Sequence, residues 1–255
     1  MDYVQYTVED GVGRIVLDRP DKLNAFVAKM TAEVKKAFKQ AEASSDVRCI
    51  LLTGAGRAFC SGQDLAEVDE GVDHGEMIRE QYAPMIKQIR RCEKPVVAGV
   101  NGVAAGAGFS LALACDFRIV HESASFVNAF IHVGLVPDSG NLAFLAKMIG
   151  EAKALELAIL GQKVTAQQAY EYGLATQVVS GEAWERESAA FASKLAAMPT
   201  KAIGLIKRQM KQVGAELDVY LNQEAQAQRI AGQTMDHREG VNAFIEKRKP
   251  VFTGQ

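Results

Sequence analysis

Two glycine-rich stretches, at residues 54–65 and 101–110, contain the residues whose types and spacing are most suited to chemistry. Each follows an apolar run, 47–53 or 96–100, that predicts a buried strand, and each precedes an apolar segment with helical character. Where a strand ends in glycines and a helix begins, several backbone N–H groups have no intrahelical acceptor. Two such ends placed side by side would bind an oxygen that becomes negatively charged during a reaction.

Outside these stretches, Asp138 lies in the run from Val136 to Gly140. The same run is a strong signal for a turn and a helix start, in which aspartate is a favoured N-cap. From the residues alone, capping is the simpler interpretation of Asp138.

Other polar residues have structural interpretations. Asp64 begins the segment after the first glycine stretch and is expected to cap it or to accept a bond at a binding pocket. His132 lies between apolar neighbours and is expected to be packed. Asp73 and His74 belong to an acidic segment, 66–80, that is expected to form a mobile solvated surface.

The glycine stretches do not match the common nucleotide-binding patterns. The chain has no P-loop sequence, and the third glycine of the dinucleotide fingerprint is replaced by Phe59 in the first stretch and Leu111 in the second. A serine-hydrolase G-x-S-x-G motif is absent. A lone glycine loop usually reflects tight packing. Two of them in similar contexts favour a site, without naming its substrate.

Strands and helices alternate as far as about residue 180, and these elements must position the candidate residues. The predicted strands are 3–8, 12–17, 47–53, 96–100 and 117–120, and the predicted helices begin near Asn24, span 77–91 and follow Gly140 and Thr165. Thr165 and Gln168 have the spacing of a capping box. The alternation predicts an α/β fold.

Beyond residue 180, helical patterns dominate, at 185–197, about 200–230 and 236–247. Asp236 and Glu239 are expected to form a second capping box. The apolar stripes of these helices must be covered by the core or by other subunits. We therefore divide the chain into a core at 1–195 and a helical region at 196–255, for which the family resemblance described below implies trimerisation.

The composition argues against several classes of protein. The net charge is −2, from 29 basic and 31 acidic residues, which gives no reason to expect nucleic acid or an anionic membrane as partner. The four cysteines and four histidines lack the spacing of metal ligands, so buried free thiols are expected and zinc is not. No secretory signal is apparent, and a cytoplasmic location is expected. The uncharged run 96–115 is rich in glycine and alanine, which favours a buried strand–loop–helix over a membrane span.

Several segments, in order along the chain, resemble the crotonase family, also known as the enoyl-CoA hydratase/isomerase superfamily. They are 19–25, 54–65, 94–95, 101–116 and 134–137, and the likeness continues to Phe244 and Lys247. The resemblance implies a spiral of β-β-α units, with C-terminal helices that build homotrimers or dimers of trimers. It also implies an acyl-coenzyme A thioester as partner. Because coenzyme A is then part of the substrate, no separate cofactor is expected.

The resemblance also assigns site residues. Two oxyanion-hole N–H groups map to Gln63 and Ala107, with Gly106 as the near alternative. Contacts to the substrate or its coenzyme A are implied for Lys22, Ala25, Ala58, Asp64, Leu65, Gly106, Phe244 and Lys247. The last two often contact coenzyme A from a neighbouring subunit. The basic residues 247–249 are explained equally well as a helix end that complements the helix dipole.

Departures from the family pattern bear on the reaction. Hydratases of this family use two glutamates to activate water, and the matching positions here carry Ser110 and Phe130, neither of which can act as a carboxylate base. Family members with aspartate at the position of Asp138 are similar to isomerases. The surrounding motifs resemble the ring-1,2-epoxyphenylacetyl-CoA isomerases of phenylacetate breakdown, although Asn141 stands where glycine is common.

We therefore expect an acyl-CoA isomerase, catalysing a double-bond shift or a ring rearrangement, with Asp138 as its acid/base. The alternatives are an enoyl-CoA hydratase or other crotonase-type lyase, and a catalytically silent acyl-CoA-binding partner subunit.

Overall fold

The computed structural model describes residues 1–67, 71 and 73–255. Its strands are β1 (Val4–Glu9), β2 (Val12–Leu17), β3 (Cys49–Gly54), β4 (Ala58–Cys60), β5 (Val96–Val100), β6 (Val103–Ala105), β7 (Phe117–His121), β8 (Ser125–Val127), β9 (Lys163–Thr165) and β10 (Gln177–Val179). Its α-helices are α1 (Ala28–Ala43), α2 (His74–Met77), α3 (Ala83–Arg91), α4 (Ala107–Ala114), α5 (Asn141–Ile149), α6 (Glu151–Leu160), α7 (Ala166–Glu171), α8 (Trp184–Ala196), α9 (Thr200–Met210), α10 (Leu217–Gly232) and α11 (Met235–Glu246). A π-helical turn, Ile78–Tyr82, joins α2 to α3.

A six-stranded sheet has the order β1-β2-β3-β5-β7-β10. β1 and β2 form an antiparallel hairpin, and the other neighbours are parallel. Alternate residues of β3 serve the two faces: Ile50 and Leu52 belong to the main core with α1 and α4, whereas Cys49 and Leu51 pack with α8. Coverage on both faces explains why the central strands are continuous apolar runs.

A second, four-stranded sheet has the order β4-β6-β8-β9. Each of its strands has three residues, and β4 and β6 lie within the two glycine-rich stretches. These strands and β10 are not predicted by the sequence pattern, because three residues are too few to show the alternation of a strand.

Three successive parts of the chain follow the same path: a strand of the larger sheet, a strand of the smaller sheet, then a helix. They are β3, β4 and α2–α3; β5, β6 and α4; and β7, β8 and α5. Because β3, β5 and β7 are neighbours in one sheet and β4, β6 and β8 are neighbours in the other, the units stack as a spiral. The predicted α/β spiral of β-β-α units is confirmed.

The first helix begins later than the sequence pattern predicts, at Ala28 rather than near Asn24. Asn24 has a left-handed backbone, with φ +55°. Its buried amide donates to the carbonyls of Ala55 and Ala58, at 2.9 and 2.8 Å, and its Oδ1 accepts from the N–H of Arg19. Asn24 therefore ties the loop before α1 to the first glycine-rich stretch.

The predicted helix at about 200–230 is two helices, α9 and α10, because the chain turns between them at Gly214, where φ is +104°. The capping box of Thr165 and Gln168 at the start of α7 is confirmed. α9 packs on the core through the buried Leu205, and Arg48 donates to the carbonyls of Met198 and Phe252. The division at residue 195 stays a prediction.

The second predicted capping box is wrong. Thr234 is the N-cap of α11, and its hydroxyl oxygen accepts from the N–H of His237 at 3.0 Å. Asp236 lies inside the first turn, where it is buried and accepts from the N–H groups of Thr253 and Gly254 at 2.7 and 2.8 Å. Its carboxylate therefore fixes the C-terminal tail.

The uncharged run 96–115 forms β5, β6 and α4, and most of it is buried. Within the described ranges, no helix combines the length and the hydropathy needed to span a membrane. Residues 68–70 and 72 of the acidic segment 66–80 lie outside the described residues. For these residues the mobile, solvated surface stays a prediction.

Candidate active site

The two glycine-rich stretches meet at Gly62 and Gly106. A Cβ atom added to Gly62 would lie 2.9 Å from the carbonyl oxygen of Ala105 and 3.4 Å from the nitrogen of Ala107, and one added to Gly106 would lie 3.9 Å from the Cα of Gly62. Both glycines have positive φ, +97° and +52°. A side chain at Gly62 would therefore be strained and would force the two backbones apart.

The N–H groups of Gln63 and Ala107 are oriented by the carbonyl groups of the preceding glycines. The Gly62 carbonyl accepts from the N–H of Phe26 at 2.7 Å, and the Gly106 carbonyl accepts from the N–H of Ser110 at 3.1 Å. In a trans peptide the N–H points opposite to the C=O. The N–H of Gln63 therefore points away from Phe26, and that of Ala107 points out of the N-terminus of α4.

A cavity of about 120 Å³ lies where the two stretches meet. It brings together five of the predicted site residues: Gln63, Leu65, Gly106, Ala107 and Asp138. The rest of its described lining is mostly apolar and consists of Ser61, Gly62, His74, Met77, Tyr82, Ala129, Phe130, Val133 and Leu135. The cavity can thus hold an apolar group beside two backbone N–H groups and one carboxylate.

Asp138 is held by its backbone. The N-cap of α5 is Gly140, and no side chain caps this helix, so the capping interpretation of Asp138 is wrong. The Asp138 carbonyl accepts from the N–H of Asn141 at 3.0 Å and from the hydroxyl of Ser110 at 3.1 Å. Ser139 and Gly140 then have φ of +56° and +80°, so the turn is tight and partly left-handed.

The carboxylate of Asp138 has an environment suited to proton transfer. Its Oδ1 is buried and has no hydrogen-bond partner in the described part of the chain. Burial raises the pKa of Asp138 above its ordinary value, and nearby Ser139 and His74 offset only part of this effect. Among the described residues that line the cavity, Asp138 is the one carboxylate. A carboxylate with a raised pKa is a stronger base than a solvated one.

Tyr82 is a site residue that sequence reasoning missed. Its hydroxyl donates to the side-chain Oε1 of Gln63, and its ring packs edge-on against Phe26, with ring centroids 5.7 Å apart. Burial raises the pKa of the Tyr82 phenol, so it remains a donor. Its helical spacing with Met85 and Ile89 is that of an ordinary core position, and only its place on the π-helical turn is unusual.

His74 and His132 each differ in one respect from what the sequence predicts. His74 is exposed, as predicted, but it also lines the cavity, which its place in an acidic segment did not indicate. His132 is exposed rather than packed. It lies on the 3₁₀ turn Ala129–Val133, where Phe130 is buried and His132 is not. The prediction for His132 was wrong because a short 3₁₀ turn does not bury every residue of an apolar run.

Lys22 and Ala25 lie in the segment before α1 and Ala58 begins β4, and none of the three is among the described residues that line the cavity. The N–H of Ser61 donates to the carbonyl of Leu23 at 3.0 Å, which joins the loop before α1 to the first glycine-rich stretch. Ala25 and Ala58 are buried, and Lys22 is exposed.

Asp64 lies next to Gln63, but its carboxylate is engaged within the chain. It pairs with Arg19 at 3.1 Å, and both side chains are about nine-tenths buried. Its other oxygen accepts from the N–H of Ala66 at 3.2 Å, as a cap would.

Phe244 and Lys247 are not at the cavity within one copy of the chain. Phe244 is 85% exposed and borders a different cavity, of about 380 Å³, between α9, α11 and the C-terminal tail. Lys247 ends α11 in a left-handed conformation, with φ +55°.

Comparison with known proteins places the chain in a family. The family model for enoyl-CoA hydratase/isomerase matches residues 7–255. The chain is 43% identical to 1,2-epoxyphenylacetyl-CoA isomerase of Escherichia coli (strain K12), over 100% of both chains. It is 41% identical to a protein of Rhodobacter capsulatus named "Probable enoyl-CoA hydratase", over 99% of this chain and 98% of the other.

A solved structure of an enoyl-CoA hydratase from Bacillus anthracis superposes with a TM-score of 0.92 at 32% identity, over 99% of this chain and 100% of the other. The chain therefore belongs to the enoyl-CoA hydratase/isomerase family, the crotonase superfamily.

Proposed function

We propose that the protein is an acyl-CoA isomerase in which Asp138 moves a proton while the N–H groups of Gln63 and Ala107 stabilise a thioester enolate. The observation that carries the proposal is the buried carboxylate of Asp138, whose pKa is raised and which lines the same cavity as both N–H groups. The name of the Escherichia coli relative supports an isomerase.

The proposed double-bond shift needs one base and one oxyanion site. The thioester oxygen accepts from the two N–H groups, and the Asp138 carboxylate removes a proton from the carbon next to the carbonyl. The resulting negative charge spreads onto the thioester oxygen, and Asp138 returns the proton to the γ carbon, so the double bond moves without net gain or loss of atoms. Loss of one oxyanion donor typically raises such a barrier by about 2.7–4 kcal/mol.

The positions that correspond to the hydratase glutamates support isomerisation over hydration. Ser110 is fully buried and hydrogen-bonded to backbone carbonyls, and Phe130 turns its ring toward Gly106. A water molecule in the cavity would therefore have Asp138 alone as a carboxylate partner, within the described lining. Hydration remains the second candidate function because the Rhodobacter capsulatus relative is named for it.

The test is a panel of acyl-CoA substrates assayed for isomerisation and hydration with the wild type and with Asp138→Asn. The panel contains Δ3-enoyl, ring-epoxidised phenylacetyl and crotonyl thioesters. We expect isomerisation by the wild type, loss of this activity in Asp138→Asn, and unchanged binding of coenzyme A.

Isomerase turnover that survives Asp138→Asn would contradict the assignment. Steady hydration of the crotonyl thioester would favour the hydratase. Binding without turnover of any substrate would favour an acyl-CoA-binding partner subunit.

We also propose that the coenzyme A portion extends from the cavity along Lys22, Ala25, Ala58, Asp64 and Leu65. Phe244 and Lys247 would reach it from a neighbouring copy in a homotrimer or a dimer of trimers. The support is that both residues lie away from the cavity of their own chain, and that large apolar side chains on α9–α11, including Ile206, Met210 and Leu217, are exposed.

A further inference from the structure

Ser110 lies between the two halves of the proposed site. It is fully buried in α4, and its Oγ lies 3.1 Å from the carbonyl oxygen of Asp138 and 3.3 Å from that of Gly106. The Gly106 carbonyl belongs to the peptide that carries the Ala107 N–H, whereas the Asp138 carbonyl belongs to the acid/base residue. One hydroxyl therefore contacts the backbone of both halves.

We assign the hydrogen bond donated by the Ser110 hydroxyl to the carbonyl of Asp138 rather than to that of Gly106. A hydroxyl has one proton and can donate to one acceptor at a time. Both carbonyls also accept one backbone N–H, from Ser110 and from Asn141, and the contact with the Asp138 carbonyl is the shorter of the two hydroxyl contacts, at 3.1 Å against 3.3 Å. Ser110 thus ties the first turn of α4 to the turn that carries Asp138.

Asn141 completes this connection from the other side. It is fully buried at the start of α5, its side-chain amide donates to the Ser110 hydroxyl oxygen at 3.2 Å, and its backbone N–H donates to the Asp138 carbonyl at 3.0 Å. Its Oδ1 has no hydrogen-bond partner within the described residues. A buried amide that is only half satisfied is unfavourable for stability, and such local conflicts are common at functional sites.

The turn between Ser110 and Asn141 needs such support. Ser139 has φ +56°, a conformation that is uncommon for residues other than glycine and that persists only where surrounding contacts fix it. The contacts on its N-terminal side are those that Ser110 and Asn141 make with the Asp138 carbonyl.

We propose that Ser110 and Asn141 are a positioning pair, which holds Asp138 in register with the oxyanion-hole peptide of Ala107. The inference rests on the proposed function of Asp138. The position that carries a glutamate in the hydratases would then serve the isomerase by orienting its base rather than by activating water.

The test compares Ser110→Ala with Ser188→Ala as a matched control. Ser188 is also a buried helical serine, but its hydroxyl donates to the carbonyl four residues earlier, that of Trp184, at 2.7 Å, and it lies in α8, away from the cavity. We expect Ser110→Ala to lower kcat about tenfold with little change in KM, because a base displaced by a fraction of an ångström loses its alignment. Ser188→Ala should lose a similar amount of thermal stability and keep its kcat.

A pH profile and a double-mutant cycle separate positioning from general destabilisation. Asp138 faces His74 and Tyr82 across the cavity. If the carboxylate of Asp138 moves relative to these groups in Ser110→Ala, the pH at which kcat falls on the acidic side of its pH profile should change as well. The effects of Ser110→Ala and Asn141→Ala should be non-additive, because both variants remove the hydrogen bond between the Asn141 side chain and the Ser110 hydroxyl.

The inference is overturned if kcat and its acidic limb in Ser110→Ala match those of Ser188→Ala, or if the cycle is additive. Should Ser110→Ala not fold, Asn141→Ala decides: a lowered kcat with a shifted acidic limb supports the pair, and unchanged values overturn it. Activity retained in Asp138→Asn would instead refute the proposed function, so the two failures are distinguishable.

Discussion

At the scale of single residues, the ionisation of Asp138 sets the pH dependence of the proposed reaction. Burial raises its pKa above the ordinary value of 3.8. Because the base must be ionised to accept a proton, kcat should fall as pH is lowered through this raised pKa, at higher pH than a solvated aspartate would give. Measurement of kcat against pH checks the prediction, and a rate that stays level down to the ordinary aspartate range would refute it.

The same raised pKa predicts how Asp138→Asn changes stability. Between the pKa of the unfolded chain and the raised pKa of the fold, the folded state binds more protons, so the free energy of unfolding falls as pH rises through this window. Asp138→Asn removes the buried charge, and the variant should be at least as stable as the wild type at pH 7, with a weaker pH dependence. Urea unfolding at several pH values measures both.

Asp46→Asn, at an exposed aspartate, is the control for this experiment and should leave the pH dependence nearly unchanged. A lower stability of Asp138→Asn at neutral pH would show that ionised Asp138 stabilises the fold.

Tyr82→Phe tests the contact between the phenol and Gln63. The variant keeps the ring that packs on Phe26 and loses the hydrogen bond to the Gln63 side chain. We expect kcat/KM to fall by a factor corresponding to about 0.5–1.5 kcal/mol, because Gln63 carries one of the proposed oxyanion donors. Steady-state kinetics measures the change. Tyr170→Phe, at an exposed tyrosine, should be neutral, and equal effects of the two variants would contradict the role of Tyr82.

At the scale of elements, the close approach of α4 to β4 depends on Gly108. A Cβ atom added there would lie 2.1 Å from the carbonyl oxygen of Cys60, an atom of the backbone. Gly108→Ala should therefore destabilise the protein by about 1–3 kcal/mol and also impair catalysis, because β4 leads directly to Gln63. Denaturant unfolding and kinetics measure the two effects.

Gly232→Ala is the matched variant for this prediction. Gly232 also lies in a helix, α10, but an added Cβ atom would meet nothing within 4 Å. Its replacement by alanine should stabilise the protein by about 0.5–1 kcal/mol. If Gly108→Ala also stabilised the protein, the close contact between α4 and β4 would not exclude a side chain at position 108.

The elements that could be predicted from the sequence are those with enough residues to show a period. β3 and β5 are continuous apolar runs and α1 has a clear apolar stripe, so the sequence located each within a few residues. The three-residue strands of the smaller sheet were missed, although they hold the glycine-rich stretches together. The capping box at Asp236 was predicted wrongly because the partners of Asp236 are at the distant C-terminus.

At the scale of the whole molecule, the exposed apolar side chains of α9 and α10 predict association between copies. Replacing Ile206 and Met210 by glutamate should reduce the mass measured by light scattering toward that of one chain, 27.6 kDa. If Phe244 and Lys247 reach the site from a neighbouring copy, KM for the acyl-CoA substrate should rise at the same time.

Val8→Glu, on the edge strand β1, is the control for surface charge, since Val8 is also exposed. It should leave both mass and KM unchanged. Loss of assembly with an unchanged KM would show that the C-terminal residues do not contact the substrate from a neighbour. A wild-type protein that is monomeric would contradict the proposed assembly.

The sequence by itself determined the family, the alternation of elements and the two glycine-rich stretches that meet at the cavity, because these depend on local patterns and on motifs at fixed separations. Only the tertiary structure decided where the side chain of Asp138 lies. Whether its carboxylate caps α5 or lies in the cavity depends on contacts from α4, through Ser110, and on the burial of Oδ1. Tyr82 and His74 line the cavity for the same kind of reason. A cavity is formed by residues distant in sequence, so a local pattern does not indicate which of them will lie together.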